Sequence, residues 1–394
     1  MAGMQTTGET GGRARWIRRS IPAAIVAFVT LQIVPGVQAH TGTTHAGTPH
    51  WVLLVFVVVG LAAGGLSVRL LRADRARYYS LPVLVVGLVL VLFGSIGLVE
   101  IQVTPPTAPD WTGWFEVLNL LAGTGMVVGS LLLGIRYWPR RPRYTALGVL
   151  LAAWVVYPAL LPAGGLTNPV GYLIAAAVPA TIGYVLWTER RERVRLLLGR
   201  RWPRRVGGLA LLAFAGFFAF SAGSLTLNPD LGVGMSGEGF VRLFRVGSPL
   251  VYWPALEFYV PAIPLAGYVS IGTVLLTLIL GGLIALNAAS ITQQWQVTRE
   301  VDSGGASVGA VVSSGATACC CCAPAMYGVV GAAFGTAASP VYWAFMDPTS
   351  PVGGLFFAGA VSMLLWSFLR STDPVGETDD DASTGGGTCA APTA

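Results

Sequence analysis

Leu81-Pro82-Val83-Leu84-Val85-Val86-Gly87-Leu88-Val89-Leu90-Val91-Leu92-Phe93-Gly94-Ser95-Ile96-Gly97-Leu98-Val99 carries no charge over its 19 residues. At 1.5 Å per residue a helix of this length reaches ~28 Å, close to the ~30 Å hydrocarbon core of a bilayer. Arg69, Arg72, Arg75 and Arg77 stand on one side of it and Glu100 on the other. An apolar run of that length with arginines at one end reads as a membrane-spanning helix, its basic end in the cytoplasm.

The pattern recurs. Stretches 51–68, 115–135, 144–162, 168–187, 207–226, 264–288, 307–334 and 352–369 read the same way, which predicts an all-α, polytopic integral membrane bundle of nine spans. Composition agrees: 54% of the 394 residues are hydrophobic and only 11% are charged, against ~25% charged in soluble domains. Mean hydropathy is +0.67. Trp51, Trp114, Trp138, Trp187, Trp202, Trp253 and Trp366 fall near span ends, where interfacial anchors belong.

All 24 basic residues are arginine, and their placement fixes the expected orientation. Twenty-two fall on the side assigned to the cytoplasm; Arg242 and Arg245 alone fall outside. Arginines confined to short loops act as orientation signals, so the net charge of +6 points to membrane lipid as a partner and excludes nucleic acid.

Residues 1–39 read as a signal sequence, with Arg13, Arg15, Arg18 and Arg19 before an apolar core at 21–34 and a small-residue cleavage site at Val37-Gln38-Ala39. The alternative is an uncleaved first helix, which makes ten spans. Both leave the segment 40–50 outside. The membrane domain then runs over 51–370, with an outer loop at 228–261 that caps the bundle, lines an entrance or lies on the interface. An acidic, Thr/Gly-rich cytoplasmic tail follows at 371–394, with the lone Cys389. Gly125 and Gly129, four apart in the third span, have the spacing of a close helix contact, as do Gly305 with Gly309 and Gly331 with Gly335.

The chemistry concentrates in two places. Cys319, Cys320, Cys321 and Cys322 are consecutive within the 33-residue Gly/Ala/Ser-rich run 306–338, with Pro324 close behind. Neighbours on a helix point about 100° apart, so four adjacent thiols do not converge on one ion. Cys319, Cys322 and Met326 share a face and make a stripe of two thiols and a thioether, soft donors suited to Cu(I). Pro324 removes a backbone bond and kinks or breaks the helix, so the run either crosses as a bent helix or re-enters; the crossing version keeps Arg370 inside. The same cysteines also read as small packing residues, or as a disulfide. The second place holds all three histidines, His40, His45 and His50, within eleven flexible residues on the outer face.

Ala318-Cys-Cys-Cys-Cys-Ala-Pro324 with the Gly/Ala-rich stretch after it resembles the paired-cysteine membrane segment of the mercury-transport protein MerT, over roughly 20 residues. That resemblance implies that Cys319 to Cys322 receive a soft ion from outside and pass it inward. The histidine segment, with His40 at a new N-terminus if cleavage follows Ala39, resembles the histidine brace of copper proteins of the CopC family, which implies chelation of a cupric ion by the terminal amine and imidazoles.

Absences narrow the field. The expected spans hold no histidine, so a bis-histidine haem has no ligands, and no charged residue at mid-depth, which disfavours ordinary ion coupling. Without any lysine there is no phosphate loop and no nucleotide site. The sequence therefore predicts a carrier of a soft metal, copper first. The histidines would capture it, the cysteines and Met326 would relay it with Met126 or Met363, and an extracytoplasmic metal-binding protein is a candidate donor. The alternatives are a thiol–disulfide oxidoreductase built on Cys319 and Cys322, and a non-catalytic accessory membrane subunit.

Overall fold

A computed structural model of the chain describes residues 50–72, 77–100, 108–161, 165–227, 238–263, 265–298, 330–331, 339–347 and 349–371. Among them the α-helices are α1 (His50–Arg72), α2 (Arg77–Glu100), α3 (Phe115–Tyr137), α4 (Pro142–Leu160), α5 (Pro169–Gly199), α6 (Arg201–Ser221), α7 (Ile271–Thr298), α8 (Ser339–Met346) and α9 (Pro351–Arg370). Seven, α2 to α7 and α9, are long and apolar enough to cross a membrane. In α1 the arginines Arg69 and Arg72 trim the apolar part to Trp51–Ser67.

Large apolar side chains cover the outside of these helices. Ile135 is 76% exposed and Leu212 68% exposed, an arrangement unfavourable in water and suited to lipid. The interior is built from α4, α5, α7 and α9, through Leu151, Val155, Val178, Leu280, Leu283 and Val361, with Trp154 stacked on Phe357 at 4.5 Å between ring centres. The α1–α2 hairpin has its own small core of Leu53, Leu54, Val57 and Leu98.

Glycine sets the closest approaches. At Gly60 an added Cβ would stand 2.5 Å from the Gly87 carbonyl oxygen, so α1 and α2 touch backbone to backbone there. The expected Gly125–Gly129 contact does not form: a Cβ at either position meets nothing within 4 Å, while Gly123 and Gly134 of the same helix pack against Val156 and Thr145. Four-residue spacing selects a face of a helix, and here a different face is turned inward.

The chain also departs from all-α. Between α6 and α7 lie β1 (Leu225–Thr226), β2 (Phe240–Val246), β3 (Trp253–Val260) and β4 (Leu265–Ser270), an antiparallel sheet in the order β1-β4-β3-β2. Two expected spans lose residues to it. The stretch 207–226 stops being helical at Ser221, and 264–288 begins as strand, with helix only from Ile271. Ser270 Oγ accepts from the Thr273 amide and Thr273 Oγ1 from the Ser270 amide, both at 3.0 Å, which caps α7 directly at the strand end. The sheet is seated by the turn between β2 and β3: Val251 is fully buried, its side chain lies against Gly171, and Ser248, Pro249 and Trp253 close over Gly272.

The bundle thus has a sheet-bearing end and an arginine-bearing end. At the first, Glu100 of α2 accepts from Thr226 and Leu227, and Asn119 of α3 donates to the Thr349 carbonyl just before α9. At the second, Arg190 and Arg193 donate to the Leu369 and Ser371 carbonyls at the end of α9. Helices α1, α3, α5, α7 and α9 run from the sheet-bearing end and α2, α4 and α6 run back. The successive long helices α7 and α9 therefore point the same way.

Candidate functional site

Most of the residues singled out as metal ligands, namely His40, His45, Cys319, Cys320, Cys321, Cys322 and Met326, lie outside the described residues, as do residues 1–39, most of 306–338 and all but Ser371 of the tail. His50 begins α1. Met126 packs against the main core, whereas Met363 is on the exposed side of α9. Among the described residues no group of three or more His, Cys, Asp or Glu side chains is placed to hold a metal.

At the arginine-bearing end the structure gathers a polar cluster that loop counting alone does not reveal. Helix α5 continues past its apolar part through a non-helical Arg190 (φ −143°, ψ 29°), and the turn beyond brings Arg193 inward until only 4% of it is exposed. Its guanidinium donates to Ser290 Oγ of α7 at 2.6 Å and to the Ser371 carbonyl, and stands 5.6 Å from the centre of the Phe368 ring. Glu189, one turn earlier, is paired with Arg143 and with Arg141 of the α3–α4 turn. Arg191 lies over the Trp187 ring at 4.4 Å and Arg370 over Trp366 at 4.4 Å. The arginines expected to act as orientation signals tie helices together.

Two buried amides interrupt the apolar helices. Asn119 is fully buried, with Nδ2 on the Thr349 carbonyl at 2.9 Å and no partner for Oδ1 among the described residues. Asn287 joins α7 to α9 about one turn before Ser290. Such amides carry no charge, yet an asparagine inside an apolar run is the sequence signal for a cross-helix bond.

A cleft of about 550 Å³ opens between α5, α6 and α7, a size usual for a small-ligand pocket. Its lining is apolar except for Arg204, near the arginine-bearing end.

At the other end β2 is the edge of the sheet, with Leu243 80% exposed, and Arg242 is hydrogen-bonded to Glu257 across the β2–β3 pair, which raises the guanidinium pKa. Burial pushes the Tyr268 phenol above its ordinary value, with the Phe244 ring edge-on at 5.6 Å. No protein family, curated protein or solved structure matches the chain.

Proposed function

We propose that the chain is a multi-pass membrane carrier that binds a soft metal ion, copper foremost, and moves it across the membrane or delivers it. In this reading the ion is cargo. His40, His45 and His50 take it up on the outer side, where imidazole suits Cu(II); an external small-molecule thiol reduces the bound ion, two ions per disulfide formed, and Cys319, Cys322 and Met326, with Cys320 and Cys321 beside them, hold the resulting Cu(I) within the membrane. An extracytoplasmic metal-binding protein would supply the ion.

The observation that carries the reading is the parallel direction of α7 and α9. Helix α7 finishes among arginines and α9 starts beside the sheet, so the chain must travel between the two ends within residues 299–350. Helix α8, with 8 residues, reaches ~12 Å and is too short for that journey. The apolar run 306–338 is long enough, and it contains every cysteine except Cys389. Four thiols in the stretch that would make this crossing, with the arginines at the opposite end from His50, are what an inward path for a thiophilic ion needs.

The test is metal binding by the purified full chain, titrated with Cu(I) and with Zn(II) under reducing conditions and, separately, with Cu(II) in the absence of reductant. Tight Cu(I) binding should disappear when Cys319 to Cys322 are all replaced by serine. It should survive replacement of the three histidines by alanine, which should abolish Cu(II) binding instead. Absence of binding in the wild type overturns the proposal and directs attention to dithiol chemistry, read by trapping a mixed disulfide at Cys319 or Cys322.

A further inference from the structure

The cleft between α5, α6 and α7 owes its shape to missing side chains. Gly183, Gly208 and Gly282 line it, and a Cβ at any of the three meets nothing within 4 Å. Gly207, next to one of them, has the opposite surroundings: its Cβ would stand 2.9 Å from the Ala285 carbonyl oxygen, so α6 and α7 close behind the cleft while its front stays open. Exposed Leu198 and Leu278 flank that opening. Along α7 the lining runs from Leu275 to Ala289, ~21 Å of helix, longer than the ~15 Å of one leaflet. An apolar groove of this length on the lipid side of a bundle loses dispersion contacts along its walls unless a flexible hydrocarbon chain fills it.

Charge identifies which lipid. Arg204 is on the lining and exposed, and among the described residues its side chain has no hydrogen bond, ion pair or ring partner. Arg200, Arg201 and Arg205, beside it at the turn into α6, are exposed as well, and the two carboxylates nearest in sequence are Glu192 and Glu189, the latter already paired with Arg141 and Arg143. The mouth of the groove is therefore strongly positive where headgroups stand. We propose that the groove holds an acyl chain of one anionic phospholipid whose phosphate is bound by Arg204.

Native mass spectrometry of the full chain, offered phosphatidylglycerol and phosphatidylcholine of identical acyl chains, tests this. The wild type should retain one phosphatidylglycerol in about fivefold preference, the worth of one arginine at a lipid surface. Arg204→Gln should keep lipid but lose that preference. Gly208→Leu with Gly282→Leu should expel lipid of both kinds, while Gly125→Leu, an equally open site on α3 away from the groove, should retain it. Equal retention of the two lipids by the wild type, or an unchanged preference in Arg204→Gln, overturns the proposal. So does unchanged retention in the double glycine variant, which would mean that another part of the chain or a second copy occupies the groove. Should the double variant fail to fold, the Arg204→Gln ratio decides alone.

Discussion

The Asn287 amide of α7 donates to the Leu364 carbonyl of α9 at 3.0 Å while also bonding its own Leu283 carbonyl at 2.8 Å, both fully inside the bundle. In hydrocarbon such a cross-helix bond contributes about 0.6 kcal/mol and at most ~1.7. Asn287→Leu is expected to lower unfolding stability in detergent by that amount. Asn287→Asp, which buries a carboxylate at the same point, should cost ~2.5 kcal/mol or more, so the order wild type, Leu, Asp in denaturation midpoint is the expected result.

Arg193 joins three helices, and its loss should be felt at all of them. Arg193→Ala removes the bonds to Ser290 and Ser371 and is expected to cost ~1–3 kcal/mol. Arg193→Lys should recover little, because one ammonium does not serve two acceptors set apart for a planar fork. Exposed Arg200, by contrast, should change stability by less than ~0.5 kcal/mol on replacement by glutamine. Protease susceptibility after Arg370 gives a local readout, since Ser371 is released only in the Arg193 variants.

Glycine positions separate in the same way. Gly60→Leu forces α1 and α2 apart at their backbone contact and should cost ~1–3 kcal/mol or abolish the hairpin, whereas Gly125→Ala, facing open space in mid-helix, should be neutral or stabilising by ~0.5–1 kcal/mol. Thermal midpoints of the two purified variants check both statements.

The direction of α7 and α9 has a direct topological test. In a chain with its native cysteines replaced by serine, Thr298→Cys and Thr349→Cys should react with an impermeant maleimide from opposite sides of the membrane. Leu243→Cys should label with Thr349→Cys, and Arg200→Cys with Thr298→Cys. Labelling of residues 298 and 349 from one side would remove the crossing between them, and with it the intramembrane setting proposed for Cys319 to Cys322.

The helices were legible because a bilayer leaves the chain few options: an uncharged run such as 81–99 must satisfy its backbone internally, and α2 covers it. Which side of each helix turns inward was not legible, because a helix apolar all round carries no stripe from which to read it, as Gly125 and Gly123 illustrate. The sheet escaped for a related reason. Leu265 to Ser270 joins the apolar start of α7 without a break in hydropathy, and only pairing with β1 and β3 makes it a strand. Arg193 and Asn287 show a third limit: Asn287, polar in an apolar run, reveals that it has a partner, whereas nothing marks Arg193 out among the arginines of 190–205, and the partners of both come from elements about 80 to 180 residues away. For the candidate ligands, the residue types were legible and their assembly was not, since His and Cys groups nearly 270 residues apart leave no periodicity to read.

The seat of Val251 has a consequence for how the chain is made. Its pocket takes one wall from Gly171, synthesised 80 residues earlier, and a neighbouring wall from Gly272, which emerges about 20 residues later. During synthesis the β2–β3 turn must therefore wait, half supported, until the first turn of α7 has been inserted. Completion of the sheet thus reports that α5 and α7 have come together in the right register, and a chain that misplaces either helix would expose Val251, Trp253 and the β2 edge to quality-control proteases.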